Sequence, residues 1–259
     1  MNDRAAQGGL RPIGFLGALT FLTRLPVRLR SAPDLPASVP WFAVVGGLIG
    51  VTVGTIAAGL AELVPMSVAA AVAVIAGVAL TGAFHEDGLA DLCDAFGGWT
   101  VEQRHEILKD SRHGTYGVAA LASSIVLRIV CVAELGPATA FAGLVAAHAL
   151  ARGAAVATMG ARPKSAAPGL GSEYTAAVTA PRAALGALAG VIIAAAATGW
   201  WAAPLTAAAG LAAIGVALLA RRALGAITGD SLGAIEQVAE GLVLVVVTGL
   251  ATRHTLWWT

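Results

Sequence analysis

The sequence predicts an all-α, polytopic membrane bundle on three observations: little charge, a recurring apolar length, and basic residues gathered on one side. Charged residues make up 12% of the 259 and hydrophobic ones 58%, with a mean hydropathy of +0.81. A soluble domain carries about 25% charge, so a water-facing surface of this size would be under-supplied. The 32 glycines suit helices that approach closely in lipid.

A membrane-crossing helix needs about 20 apolar residues. Seven candidates meet that, at about 39–61, 67–85, 116–135, 137–159, 181–201, 203–220 and 231–251, giving seven transmembrane helices in a single membrane-embedded domain, 1–259. Residues 1–38 form a cytoplasmic or interfacial N-terminal segment. Its apolar stretch 13–23 is too short to span and has no cleavage site after it, so it lies in the interface or enters part-way. The segment Pro163 to Gly171 reads as a flexible loop. Cys93 and Cys131 are the two cysteines; neither forms a CxxC pair, and no zinc site or disulfide is expected.

Of the 16 Lys and Arg, all but Arg128, inside a span, and Arg253 fall on one side of this topology. The positive-inside rule makes that side, and the N-terminus, cytoplasmic. The pairs Trp200-Trp201 and Trp257-Trp258 then belong to an outer aromatic belt.

Against this background one run stands out, His85-Glu86-Asp87-Gly88-Leu89-Ala90-Asp91-Leu92-Cys93-Asp94. Asp87, Asp91 and Asp94 recur at i, i+4 and i+7, so a continuing helix would put all three on one face. Such a stripe repels itself unless cations sit between the acids. Oxygen ligands select a hard ion, and Mg²⁺ is the default. Gly88 would let a ligand approach the backbone. Ionisable groups at membrane depth point to function.

A second acidic segment opens the last span: Asp230, Glu236 and Glu240. Asp230 either caps the helix or contacts metal or substrate; Glu236 and Glu240 share a face of an otherwise apolar helix. Between the two segments lie Arg104, Lys109, Ser111, Arg112, His113, Gly114 and Gly117. Lys109 and Arg112 offer donors to phosphate oxygens, and Gly114 and Gly117 could present backbone N–H groups at a helix start. These parts together suggest phosphoryl transfer. His85 could orient a carboxylate or touch substrate, and His148, four residues before Arg152, could line a polar cavity with it. The absence of GxSxG, P-loop and HExxH patterns leaves hydrolase, ATPase and zinc-protease readings without support.

Four pieces, FLGALTFLTRLP at 15–26, FHEDGLADLCDAFGG at 84–98, LKDSRHGTYG at 108–117 and TGDSLGA at 228–234, resemble the cobalamin synthase family. The pieces span most of the chain in the family's order. The resemblance implies an Mg²⁺-dependent integral membrane transferase of the bacterial inner membrane, with its active site facing the cytoplasm. It would join α-ribazole, or its 5′-phosphate, to adenosylcobinamide-GDP, releasing GMP and adenosylcobalamin or its phosphate, late in cobalamin biosynthesis. On that reading the ribazole 3′-hydroxyl attacks the β-phosphorus on the cobinamide arm. Asp87, Asp91 and Asp94, with Asp230, hold Mg²⁺, and Glu86, Glu236 and Glu240 complete its shell. Lys109 and Arg112 neutralise developing charge, and His85, Arg104, Ser111, Gly114 and Arg152 contact substrate. Asp94 is the candidate base, because the last acid of the stripe would lie nearest open water. Glu86 often has an apolar counterpart in the family, and His113 stands where a small or aliphatic residue is common, which weakens an essential role for either.

The expected partners are the two substrates and the lipid bilayer, with no nucleic acid; a homo-oligomer, or association with other corrinoid-pathway enzymes, stays open. Two other readings use similar parts. A CDP-alcohol-type phospholipid phosphotransferase shares the site logic, although the Ala-Arg that follows that family's first acids is absent here. A divalent-cation transporter would place its acids near the bilayer midplane and open outward.

Overall fold

The computed structural model describes residues 12–28, 34–161 and 178–259. The expected loop Pro163 to Gly171 lies outside them, as do Arg4, Arg11, Arg30, Arg162 and Lys164 of the charge map. The described residues are helical and carry no strand. In chain order the helices are α1 (Pro12–Leu22), α2 (Leu35–Ser38), α3 (Phe42–Leu60), α4 (Met66–Thr81), α5 (Phe84–Ala95), α6 (Val101–Ile107), α7 (Thr115–Ala133), α8 (Pro137–Gly160), α9 (Ala180–Thr198), α10 (Ala202–Leu224) and α11 (Gly229–Ala251).

Helix α8 is the hub. Small residues at Ala146, Ala147, Ala149 and Ala151 are fully buried, which lets neighbouring backbones come close. A Cβ on Gly50 of α3 would lie 2.6 Å from the Cα of Val145, so no larger residue fits that crossing. Gly46, Gly50 and Gly54 meet His148, Val145 and Phe141 in turn, which makes α3 and α8 antiparallel. On α9, Ala183 faces Gly160 and Gly190 faces Ala149; on α11, Val247 faces Gly143 and Glu240 meets Arg152. Both are therefore antiparallel to α8, and they start at the same end of the bundle.

Among the described residues, five helical runs are long and apolar enough to cross a membrane, or six if α4 and α5 count as one bent span. The longest, Ala180–Leu224, contains a 3₁₀ turn at Gly199–Trp201, with Gly199 at φ +62°. The chain reverses there: α9 starts, and α10 ends, on the side where α11 begins. The protein is thus a multi-pass membrane protein, and among the described residues α3, α4 and α7 to α11 stand at the seven places the apolar lengths predict.

One expected span ends early. Helix α4 stops at Gly82, where φ is +67°, and Ala83 follows at φ +58°. Two consecutive left-handed residues turn the chain by 89° into α5. Only glycine adopts that region without steric cost, and for Ala83 the cost is about 1–2 kcal/mol. The acidic run therefore does not continue the span: it lies across its end.

Helix α1 supports α5 there. Its Ala18 and Leu22 are buried in one apolar cluster with Leu89 and Leu92. Arg24 N–H donates to the Leu80 carbonyl at 2.8 Å, fixing the turn from outside. At the opposite end Trp258 Nε1 donates to the Ala197 carbonyl at 2.9 Å, and Trp200 meets His254 edge-on. Trp201 departs from the expected belt: it is fully buried in the core with Leu205 and Leu256.

Candidate active site

The acids of helix α5 spread over one broad side. Glu86 and Asp94 stand near its two ends, eight residues apart and about 12 Å along the axis, and both find partners at α7. Both oxygens of buried Asp94 accept backbone N–H bonds, from Gly114 at 2.7 Å and from Gly117 at 2.8 Å. A Cβ on Gly117 would collide with that carboxylate and lie 3.0 Å from the Ala90 carbonyl. Asp94 thus pins the start of α7 to the end of α5. The open-water position expected for a base is not where the fold puts it, and the two N–H groups expected to face an anion are taken up by Asp94 itself.

Between Glu86 and Asp94, exposed Asp87 and half-buried Asp91 make up the open part of this side. His113 from the α6–α7 loop stands over both: Nε2 lies 3.7 Å from Asp87 Oδ1, and Nδ1 lies 3.7 Å from Asp91 Oδ1. One ligand atom from each of the three falls within 4.8 Å of the others. Burial, and then the charges of Asp87 and Asp230, raise the Asp91 carboxyl to about 6. Asp230 reaches this side because α5 and α11 cross at two glycines. A Cβ on Gly88 would lie 2.9 Å from the Asp230 carbonyl, and one on Gly233 would lie 3.3 Å from the Gly88 Cα. Gly88 therefore admits a helix, not the ligand expected there. Thr228 and Ser231 form the capping box of α11, so Asp230 is not the N-cap.

Beneath this face lies a buried ionic network. Arg128 of α7 donates to Glu86 Oε1 and to Glu240 Oε1, both at 3.0 Å. Arg152 of α8 donates to Glu240 Oε2 at 3.0 Å and also pairs with Glu236. His148 Nδ1 lies 2.9 Å from Glu240 Oε2. Gln237 bridges Glu236 to Ser124, and His85 Nδ1 lies 3.5 Å from Glu236 Oε2. The metal role expected for Glu86, Glu236 and Glu240 meets a physical obstacle: ligand atoms of His148, Glu236 and Glu240 lie within 4.8 Å of one another, but Arg128 and Arg152 pair with the three glutamates and repel a further cation. Arg152, expected on substrate, is 2% exposed and held inside this network. Glu236 and Glu240 lie about 10 and 16 Å into α11. Acids at that depth fit a transporter's placement, but arginine pairing closes them to a passing cation.

The basic residues divide likewise. Arg104 donates to the carbonyls of Gly98 and Ala223, both at 2.9 Å, and His105 lies 3.0 Å from the Leu224 carbonyl. They cap the C-terminal end of α10 rather than face the acids. Lys109, Ser111 and Arg112 are exposed on the loop that ends in His113. Arg112 holds Asp110 at 2.6 Å and draws its carboxyl down to about 2.

Two participants escaped the sequence reading. His113 looked dispensable because it departs from the family pattern, yet it meets both open acids. Arg128 looked like a stray charge within a span. Its signal was legible: an arginine in an apolar helix must find acids, and two, Glu236 and Glu240, lay in another apolar stretch.

Fold and site define a multi-pass helical membrane protein with an open carboxylate–imidazole cluster at one end, braced from below by buried ion pairs. The chain belongs to the cobalamin-5-phosphate synthase family, whose profile matches residues 14–248. Curated relatives carry the name adenosylcobinamide-GDP ribazoletransferase. The Mesorhizobium japonicum protein is 39% identical over 249 residues, covering 88% of this chain and 90% of the relative. The Azorhizobium caulinodans protein is 36% identical over 259 residues, covering 92% and 96%. The Chlorobaculum tepidum protein is 36% identical over 237 residues, covering 89% and 92%. No solved structure matches the fold.

Proposed function

We propose that this protein transfers the cobinamide-phosphate group of adenosylcobinamide-GDP to α-ribazole or its 5′-phosphate, giving adenosylcobalamin or its phosphate and GMP. The observation that carries this is the family match across nearly the whole chain, seated on a fold that gathers the family's acidic motifs at one end. The new bond joins the ribazole 3′-oxygen to the β-phosphorus, the bond to GMP breaks, and the hydroxyl proton is lost.

The site fits Mg²⁺ by its donors: carboxylate oxygens of Asp87 and Asp91 lie within 4.8 Å of each other and of a His113 nitrogen, and Asp230 stands beside them. Asp87 and Asp91, with Asp230, would hold the ion, which when bound supplies charge neutralisation to the diphosphate. Asp94 positions the loop that carries His113. Lys109 and Arg112 rim the same loop, where Arg112 can exchange the solvent-exposed Asp110 for a phosphate oxygen, because water weakens an exposed ion pair. The basic residues near this end support a site on the cytoplasmic face of the bacterial inner membrane.

The test is incubation of purified protein in lipid with adenosylcobinamide-GDP, α-ribazole and Mg²⁺. GMP release in step with cobalamin formation is expected; intact protein that releases none refutes the assignment.

A further inference from the structure

Helix α5 leaves α4 at 89° through a strained left-handed Ala83. The turn sends α5 across the end of the span, and contacts beyond the turn hold it against α11. Arg128 is 4% exposed, and its two terminal nitrogens reach Glu86 on α5 and Glu240 on α11, each at 3.0 Å. Those two helices carry the acids assigned above to metal: Asp87 and Asp91 on one, Asp230 on the other. Glu86 adjoins Asp87 in the chain, and Glu240 is itself locked by Arg152 and His148. At the crossing, Gly88 and Gly233 approach backbone to backbone, so a small shift of α5 moves its acids relative to Asp230.

We infer that Arg128 is a positioning residue: its fork sets α5 against α11 and thereby sets the geometry in which Asp87, Asp91 and Asp230 receive a divalent cation. The inference rests on the metal reading above. Arginine suits the role because its planar fork presents two donors in fixed geometry and stays charged when buried. A lysine ammonium could reach both glutamates, but as a point charge on a flexible stem it would not fix their relative geometry.

The test uses full-length protein in nanodiscs with Mn²⁺ alone as probe, without corrinoid or ribazole. Arg128→Gln and Glu86→Gln are compared with the parent by Mn²⁺ titration and by amide hydrogen exchange. Both variants should bind Mn²⁺ about 10–100-fold more weakly, the usual cost of losing a residue that orients metal ligands. Exchange over residues 84–95 should rise about tenfold or more, while residues 137–160 keep their protection. If Arg128→Gln fails to fold, Glu86→Gln carries the test. Weaker Mn²⁺ binding with unchanged exchange overturns the proposal, because Arg128 then acts by charge and not by position. No change in either measurement overturns it too. Faster exchange in the variants, with no Mn²⁺ bound even by the parent, leaves the brace standing and removes the metal reading instead.

Discussion

Replacing Asp94 by Asn separates an anchor from a base or a metal ligand. The side chain keeps its shape, but one oxygen becomes an NH₂ group. In the native site the oxygens accept from Gly114 at 2.7 Å and Gly117 at 2.8 Å. Bonds to a charged acceptor contribute about 1.5–3 kcal/mol each. Asn can keep one of them, as a weaker neutral bond, and sets its own N–H groups against the other amide. That second amide then lies buried and unpaired, at about 1–3 kcal/mol. The sum is about 2–4 kcal/mol of destabilisation at the α5–α7 joint. For a chain of this size that corresponds to a fall in melting temperature of about 5–15 °C, read by thermal denaturation in nanodiscs. Mn²⁺ affinity should fall only modestly, since Asp87 and Asp91 are untouched. If melting is unchanged while Mn²⁺ binding disappears, Asp94 is a ligand and the anchor argument fails.

Asp91→Asn should show the converse, with Mn²⁺ binding and turnover lost and the melting temperature within about 2 °C of the parent; near-normal turnover would remove Asp91 from the metal site. Because the Asp91 carboxyl titrates at about 6 rather than 3.8, protons compete with the cation. Mg²⁺ affinity should therefore plateau above neutral pH and fall by up to about tenfold per unit below about 6, followed by titration calorimetry; a flat profile from pH 5 to 8 would contradict the raised value. Gly88→Ala should push α5 off α11 at the 2.9 Å approach to the Asp230 carbonyl. That costs about 1–3 kcal/mol and weakens Mn²⁺ binding, and an unchanged melting curve would show that the crossing has slack.

The membrane architecture was legible because bilayer thickness imposes a length on every span and topology imposes a side on every basic residue. Both constraints act locally on the sequence, so the helices from α3 to α11 that cross the bundle fall where apolar length puts them. The acid stripe was legible only in part. Spacing along a helix says which residues share a face, but not what that face meets. Asp87, Asp91 and Asp94 looked equivalent; packing on α7 buries Asp94 against two amides and leaves the other two open. Glu86, Glu236 and Glu240 looked like further ligands, and Arg128 and Arg152, distant in sequence, bond their oxygens. The turn at Gly82-Ala83 decides much of this, since it rotates the acids out of the span and across its end. The sequence by itself determined a multi-pass membrane enzyme with paired acidic motifs. Only the tertiary structure decided which acids stay open and which are neutralised, because a carboxylate's role depends on the charge and hydrogen bonds it meets in space, and those come from other helices, α7 and α8 above all.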